Sequence, residues 1–205
     1  MERVGKNYYF YNIRMVFMKK ILILLLTIFG TVSFSENVDI VIKNATVLTM
    51  DAKKTVIENG VVAIKNNAIV EVGNGELLSK YKGKKTIDAE NDIVMPGFIN
   101  THTHVSMVAF RSLADDVPDR LSRYIFPLEN KLVSRDLVYK GAVYGILEMV
   151  STGTTTFADM YYFEDEVAKA AELIGVRGVL GETVIKNPVA DAKEPYGGIE
   201  YAEKF

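Results

Sequence analysis

Apolar and polar positions change rhythm along the chain. From Val38 to Asp92 the apolar residues come in short runs, Ile40 to Ile42, Thr46 to Met50, Val61 to Ile64, Ile69 to Val72 and Thr86 to Asp88. Runs of this length bounded by polar residues predict short strands. Lys43, Asn44 and Ala45 divide the first two, while Asn66 and Asn67 stand between the third and fourth. Asparagine tolerates the positive φ of a tight hairpin, so a turn is expected there. After His104 the pattern alternates between helix and strand, as βαβ units do. Ser134 predicts an N-cap for a helix to about Val150, with Asp136 well placed against the positive end of the helix dipole. On that helix Asp136, Lys140 and Glu148 form one narrow polar stripe, and Leu137, Val143, Ile146, Leu147 and Val150 crowd the rest. This suits a helix packed on a sheet and on its neighbours. Gly153 ends it, and Thr154 to Asp159 is expected as a second strand. A helix from about Asp165 to Ile174, with Glu166, Lys169 and Glu172 outward, then stops at Gly175. Arg177 to Thr183 predicts a third strand, Pro188, Pro195, Gly197 and Gly198 a loop, and Ile199 to Phe205 the start of another helix.

Ahead of Val38 the pattern is of another kind. From Met18 come Lys19 and Lys20, an apolar run from Ile21 to Phe29, and small residues through Ser33 and Ser35. That is the plan of a cleavable secretory signal, with cleavage expected after Ser35. The run is too short to span a bilayer, which takes about 20 apolar residues. Export to the periplasm or medium without a stable membrane anchor is therefore expected, or a cytoplasmic protein if the signal is not used. Residues 1–17 are aromatic without a period and look like an upstream extension.

Composition narrows the chemistry. Hydrophobic residues at 49% and charged residues at 24% match a soluble globular average. A net charge of -2 and the lack of a dense Lys/Arg cluster argue against nucleic acid as a partner. With no cysteine, disulfides, thiolate metal sites and a cysteine nucleophile are excluded. Histidines and carboxylates are left to carry any catalysis.

The histidines are concentrated in one place. The stretch Ile93 to Val105 reads IVMPGFINTHTHV and holds His102 and His104, the protein's only two. Residues two apart on a strand project from the same face, so both imidazoles would aim one way. Two neutral imidazoles at a rigid strand end suit zinc or a related ion, with iron as an alternative. By itself the same pattern also describes two polar residues where a strand frays into a loop.

The context resembles the amidohydrolase superfamily, in which a Pro-Gly break precedes a strand ending in paired histidines. The likeness continues through Ala114, Asp115, Asp116, Pro127, Leu128, Glu129, Thr152, Gly153 and Asp159. Within the superfamily it is most similar to the methylthioadenosine/S-adenosylhomocysteine deaminases, with the triazine hydrolases as relatives.

The resemblance implies an α/β fold, the N-terminal part of a (β/α)8 barrel of about three β/α units preceded by part of a small β-sandwich. The expected division is 36–93 for the sandwich and 94–205 for the barrel part. A whole barrel needs about 250 residues, so the chain is expected to be truncated and inactive alone. It implies His102 and His104 as ligands of a divalent metal, whose bound water attacks an amidine-like ring carbon and expels ammonia. The further histidines, the aspartate and the proton-shuttling glutamate of such enzymes have no counterpart here. Glu129 matches the glutamate that binds the substrate's ribose hydroxyls. Asp159 and Glu182 are expected at the barrel mouth, Asp159 organising hydrogen bonds there. Glu182 stands near a substrate-binding arginine of some nucleoside deaminases, which would disfavour an acidic tail such as that of homocysteine. Asp115 and Asp116 are expected as loop acids or caps. The expected partner is a small heterocyclic substrate, in a full-length form that could be a homo-oligomer. The alternatives are a triazine-type hydrolase that removes another leaving group, and a noncatalytic truncated product.

Overall fold

The computed structural model describes residues 35–205. The extension at 1–17 and the signal peptide, apart from its last residue Ser35, lie outside the described residues. The chain forms two compact units, one ending at Pro96 and the other running Gly97–Phe205.

The first unit is a sheet. β1 (Glu36–Leu48), β2 (Val56–Lys65) and β3 (Ala68–Gly73) form an antiparallel meander, and a single helical turn, α1 (Leu77–Lys80), leads to β4 (Tyr81–Asp88). β4 lies parallel to β1, and the short β5 (Ile93–Val94) adds to the far end of β1. The hairpin turn falls where the asparagines predict it, and Asn66 adopts φ 55°. The first two expected strands are instead one. Asn44 takes φ 54°, but β2 pairs on both sides of it, Ile42 with Val62 and Ala45 with Gly60, so the positive φ makes a bulge and not a turn. The Asn44 amide donates to both oxygens of Asp88 at 2.9 and 3.0 Å, which fixes the bulge. Gly60 is required opposite it, since a Cβ there would lie 2.6 Å from Val47 Cγ2. Alternation along the strands buries Val38, Val41, Val61 and Tyr81 in one cluster, and Ala45, Val47 and Val62 in another.

The second unit holds three parallel strands, β6 (Phe98–Thr103), β7 (Thr154–Tyr161) and β8 (Arg177–Glu182), in that spatial order. Between β6 and β7 come a 3-10 segment (Val105–Phe110), a π turn (Leu121–Ile125), α2 (Phe126–Leu132) and α3 (Arg135–Ser151). No hydrophobic period announces the first three. α4 (Glu164–Ile174) joins β7 to β8, and α5 (Gly198–Lys204) follows the last loop. Ser134 caps α3 as expected, its Oγ accepting from Leu137 N at 3.3 Å. α4 stops on Gly175 at φ 84°, the left-handed cap that glycine adopts without strain.

Helices α3 and α4 cover one face of these strands, with Phe157, Tyr161, Val138, Ile146, Val167 and Ala170 buried between them. Two expectations fail in detail. Leu147 and Val150 of α3 are exposed, because the buried stripe is Val138, Ala142, Gly145 and Ile146, with Tyr139, Val143 and Met149 half-buried beside it. Glu166, expected outward, is drawn into ion pairs with Arg135 at 2.5 Å and Lys169 at 2.8 Å. Among the described residues no helix is long and apolar enough to cross a membrane.

The end of β6 is clamped. Ser106 Oγ donates to Val138 O at 3.0 Å. A Cβ on Gly145 would lie 2.7 Å from Val105 O, so the missing side chain lets the 3-10 segment lie directly on α3. The residues just before that segment are the two histidines.

Candidate active site

His102 is the penultimate residue of β6, and His104 follows its end. Their ring centroids stand 5.2 Å apart, edge to face. His104 Nδ1 lies 2.5 Å from Met160 O. A carbonyl only accepts, so Nδ1 carries the proton and the Nε2 lone pair is free. A second ring nitrogen tied to a backbone carbonyl is the usual support of a metal-binding imidazole. The pair therefore fits a divalent ion as a partial donor set. Among the described residues no group of three or more His, Cys, Asp or Glu is arranged to hold one.

Glu129 lies on α2 and is only 3% exposed. Tyr161 donates its hydroxyl to Oε1 at 2.8 Å, and Tyr162 donates to Oε2 at 3.4 Å. Burial pushes the Glu129 carboxyl up from its ordinary value, and the two tyrosine bonds oppose that shift. Burial and then the nearby Glu129 carboxylate push both phenols up, so they stay protonated donors. Glu129, His104, Tyr161 and Tyr162 share the wall of one cavity of about 300 Å³ with Thr183 and with apolar side chains including Met107, Leu121, Ile125 and Phe126. Glu129 and the histidine end of β6 thus face one cavity.

Asp159 and Glu182 lie off the wall of this cavity. Asp159 sits beside Thr103 in the β6–β7 ladder, and its Oδ1 accepts from Val105 N at 2.8 Å, tying the chain just past His104. Its Oδ2 is buried without a partner, as are both oxygens of Glu164. Two neighbouring carboxyls need a proton between them. Glu164 is 0% exposed, and burial and then Asp159 push it up to about 9. Burial also raises Asp159.

Glu182 does not line the cavity. Its Oε1 accepts from Thr183 N at 2.9 Å and its Oε2 from Glu164 N at 3.3 Å, where α4 presents unpaired amides. Burial, followed by its contact with Asp191, raises it to about 8. The Glu182 carboxylate is thus engaged by backbone amides and does not face a substrate tail in the cavity. Asp115 is a loop acid paired with Arg120 at 3.0 Å. Tyr161, Tyr162, Glu164 and Asp191 were not singled out from sequence. The tyrosine pair directly after Asp159 and Met160 was the available signal, while the burial of the two acids depends on contacts distant in the chain.

Residues 93–205 match the profile of the amidohydrolase family. The chain belongs to that family. Among its members, the 5-methylthioadenosine/S-adenosylhomocysteine deaminase 1 of Syntrophus aciditrophicus is 42% identical over 173 residues, which are 83% of this chain and 39% of the relative. A 5'-deoxyadenosine deaminase of Methanosarcina mazei is 45% identical over 150 residues, 72% of this chain and 34% of the relative. The chain thus spans well under half the length of these amidohydrolases. In structure it is similar to an adenosine deaminase from Xanthomonas campestris with bound zinc, with a TM-score of 0.79 and 29% identity over 83% of this chain and 40% of that one. The three parallel strands and their helices are accordingly the N-terminal β/α portion of an amidohydrolase barrel.

Proposed function

We propose that this chain forms the ribose-holding wall and the first two metal-facing imidazoles of a site that hydrolytically deaminates an adenine nucleoside. The observation that carries the reading is Glu129, a buried carboxylate on the wall of the cavity that His104 also lines. A carboxylate accepts from two vicinal hydroxyls through charge-assisted bonds, which are about twice as strong as neutral ones. Apolar walls beside it suit a purine ring or a small 5' substituent. The relatives' names, methylthioadenosine and 5'-deoxyadenosine deaminase, are in keeping with that choice.

In the net reaction, water adds at the amino-bearing ring carbon and ammonia leaves, so that an amidine becomes an amide. His102 and His104 would hold the divalent ion, zinc in this reading, with His104 using the Nε2 that its bond to Met160 O leaves free. The ion supplies Lewis acidity for the hydrolytic step. Asp159 holds the backbone of Val105 and so keeps the strand end fixed. Glu129 fixes the sugar, and through it the position of the ring.

Calorimetric titration of the chain with 5'-methylthioadenosine tests the reading. Glu129→Gln keeps the shape but loses the charge, and should weaken binding about tenfold or more. Equal affinity in the two proteins would refute the assignment.

A further inference from the structure

Successive strand residues point to opposite faces, so two adjacent tyrosines seldom serve one acceptor. Here β7 ends at Tyr161 and the chain bends at Tyr162. Phe163 then adopts φ 53° and ψ 46°, a left-handed conformation rare for a bulky residue and found where surrounding structure enforces it. Asp191 Oδ2 accepts from Phe163 N at 2.8 Å at this bend. The two phenol rings come to lie 4.7 Å apart, tilted by 46°, with one hydroxyl on each oxygen of Glu129.

We propose that Tyr161 and Tyr162 are positioning residues, which fix the plane of the Glu129 carboxylate so that its remaining lone pairs meet the two vicinal hydroxyls of a riboside. This rests on the reading that Glu129 faces the ribose. A carboxylate offers about four acceptor positions. One hydroxyl on each oxygen uses two and leaves one per oxygen, which matches a diol. The tyrosines also favour the ionised form, opposing the burial that would protonate Glu129. A buried acceptor built for a hydroxyl discriminates strongly against an analogue that lacks it. Selectivity for ribosides over 2'-deoxyribosides should therefore depend on the tyrosine hydroxyls, and more on Tyr161 than on Tyr162, whose bond is longer.

The test uses the full chain with Tyr161→Phe and Tyr162→Phe, which keep the rings. Affinities for adenosine and 2'-deoxyadenosine are measured by equilibrium dialysis, and the ratio between them is the readout. Y161F should lower the ratio about tenfold and Y162F about threefold. A structural role alone would weaken both nucleosides alike, and an unchanged ratio overturns the proposal. The infrared difference between wild type and E129Q isolates the Glu129 carboxylate bands without any ligand. Y161F should move those bands more than Y162F does. Bands unmoved by both changes overturn the positioning role even if the nucleosides are discriminated. If wild type binds neither nucleoside, or both equally, the ribose reading fails and with it the selectivity claim. A band shift would still uphold the hold of the tyrosines on Glu129.

Discussion

Glu164 offers a perturbation whose sign and size both follow from its surroundings. It is fully buried, neither oxygen has a donor other than a proton of its own, and it is raised to about 9 from an ordinary 4.5. An acid raised in this way keeps its proton in the native state where the unfolded chain has released it. Its stabilising effect is complete below the unfolded value and is lost as pH climbs toward the native one. Between pH 5 and pH 8 the ceiling on that loss is about 4 kcal/mol, at about 1.4 kcal/mol for each pKa unit. Local opening that admits water takes part of it, and we expect about 2 kcal/mol. Glu164→Gln puts a permanent amide donor where the proton sits, against Asp159. The variant should match wild type near pH 5 and exceed it by about 2 kcal/mol at pH 8. Glu182, also raised, is present in both proteins, and since its charge adds to the Glu164 shift the difference reads Glu164 together with that interaction. Urea midpoints at pH 5, 6, 7 and 8, taken at low protein concentration, measure the difference. Parallel profiles for the two proteins across that range would show that Glu164 is not the buried acid described here.

Three other outcomes are expected. Replacing His102 and His104 together by alanine should abolish stoichiometric zinc uptake by the chain in calorimetric titration, and uptake that is unchanged would place the metal elsewhere. Ile99 and Val179 are each 67% exposed on strands β6 and β8, the two edges of the parallel sheet. Open apolar edges promote association, so sedimentation should find the chain self-associated, and Ile99→Lys with Val179→Lys should shift it toward monomer; a monodisperse wild-type monomer would contradict this. If the segment from Met18 to Ser35 directs export, exported protein should begin at Glu36 on N-terminal sequencing, whereas membrane-bound protein that retains the segment would make it an anchor.

Where the determinants are local, the structure follows the sequence closely. Ser134 starts α3, Gly175 ends α4, Asn66 turns the first hairpin, and the apolar runs ending in His102, Asp159 and Glu182 are the three parallel strands. What was not legible depends on partners distant in the chain. Residues 105–132 hold a 3-10 segment that lies on α3, followed by a π turn and a short helix, and such contacts leave no period in the sequence. A glutamate reads as a surface residue, but Glu129 is buried, and its partners Tyr161 and Tyr162 come from 32 and 33 residues on. Glu182 shows how a strand-end position fails to fix a role. It is on the expected strand, but the amides at the start of α4 capture its carboxylate, so it serves the helix and not the cavity.

The proposed function requires a nucleoside to lie oriented between Glu129 and the two histidines. The most direct measurement is a crystal structure of the chain soaked with zinc and 5'-methylthioadenosine. Both ribose hydroxyls should lie within hydrogen-bond reach of Glu129, with the amino-bearing ring carbon toward His102 and His104 and zinc on the Nε2 of His104. A nucleoside bound with its ribose turned away from Glu129, or zinc bound away from both imidazoles, would contradict it.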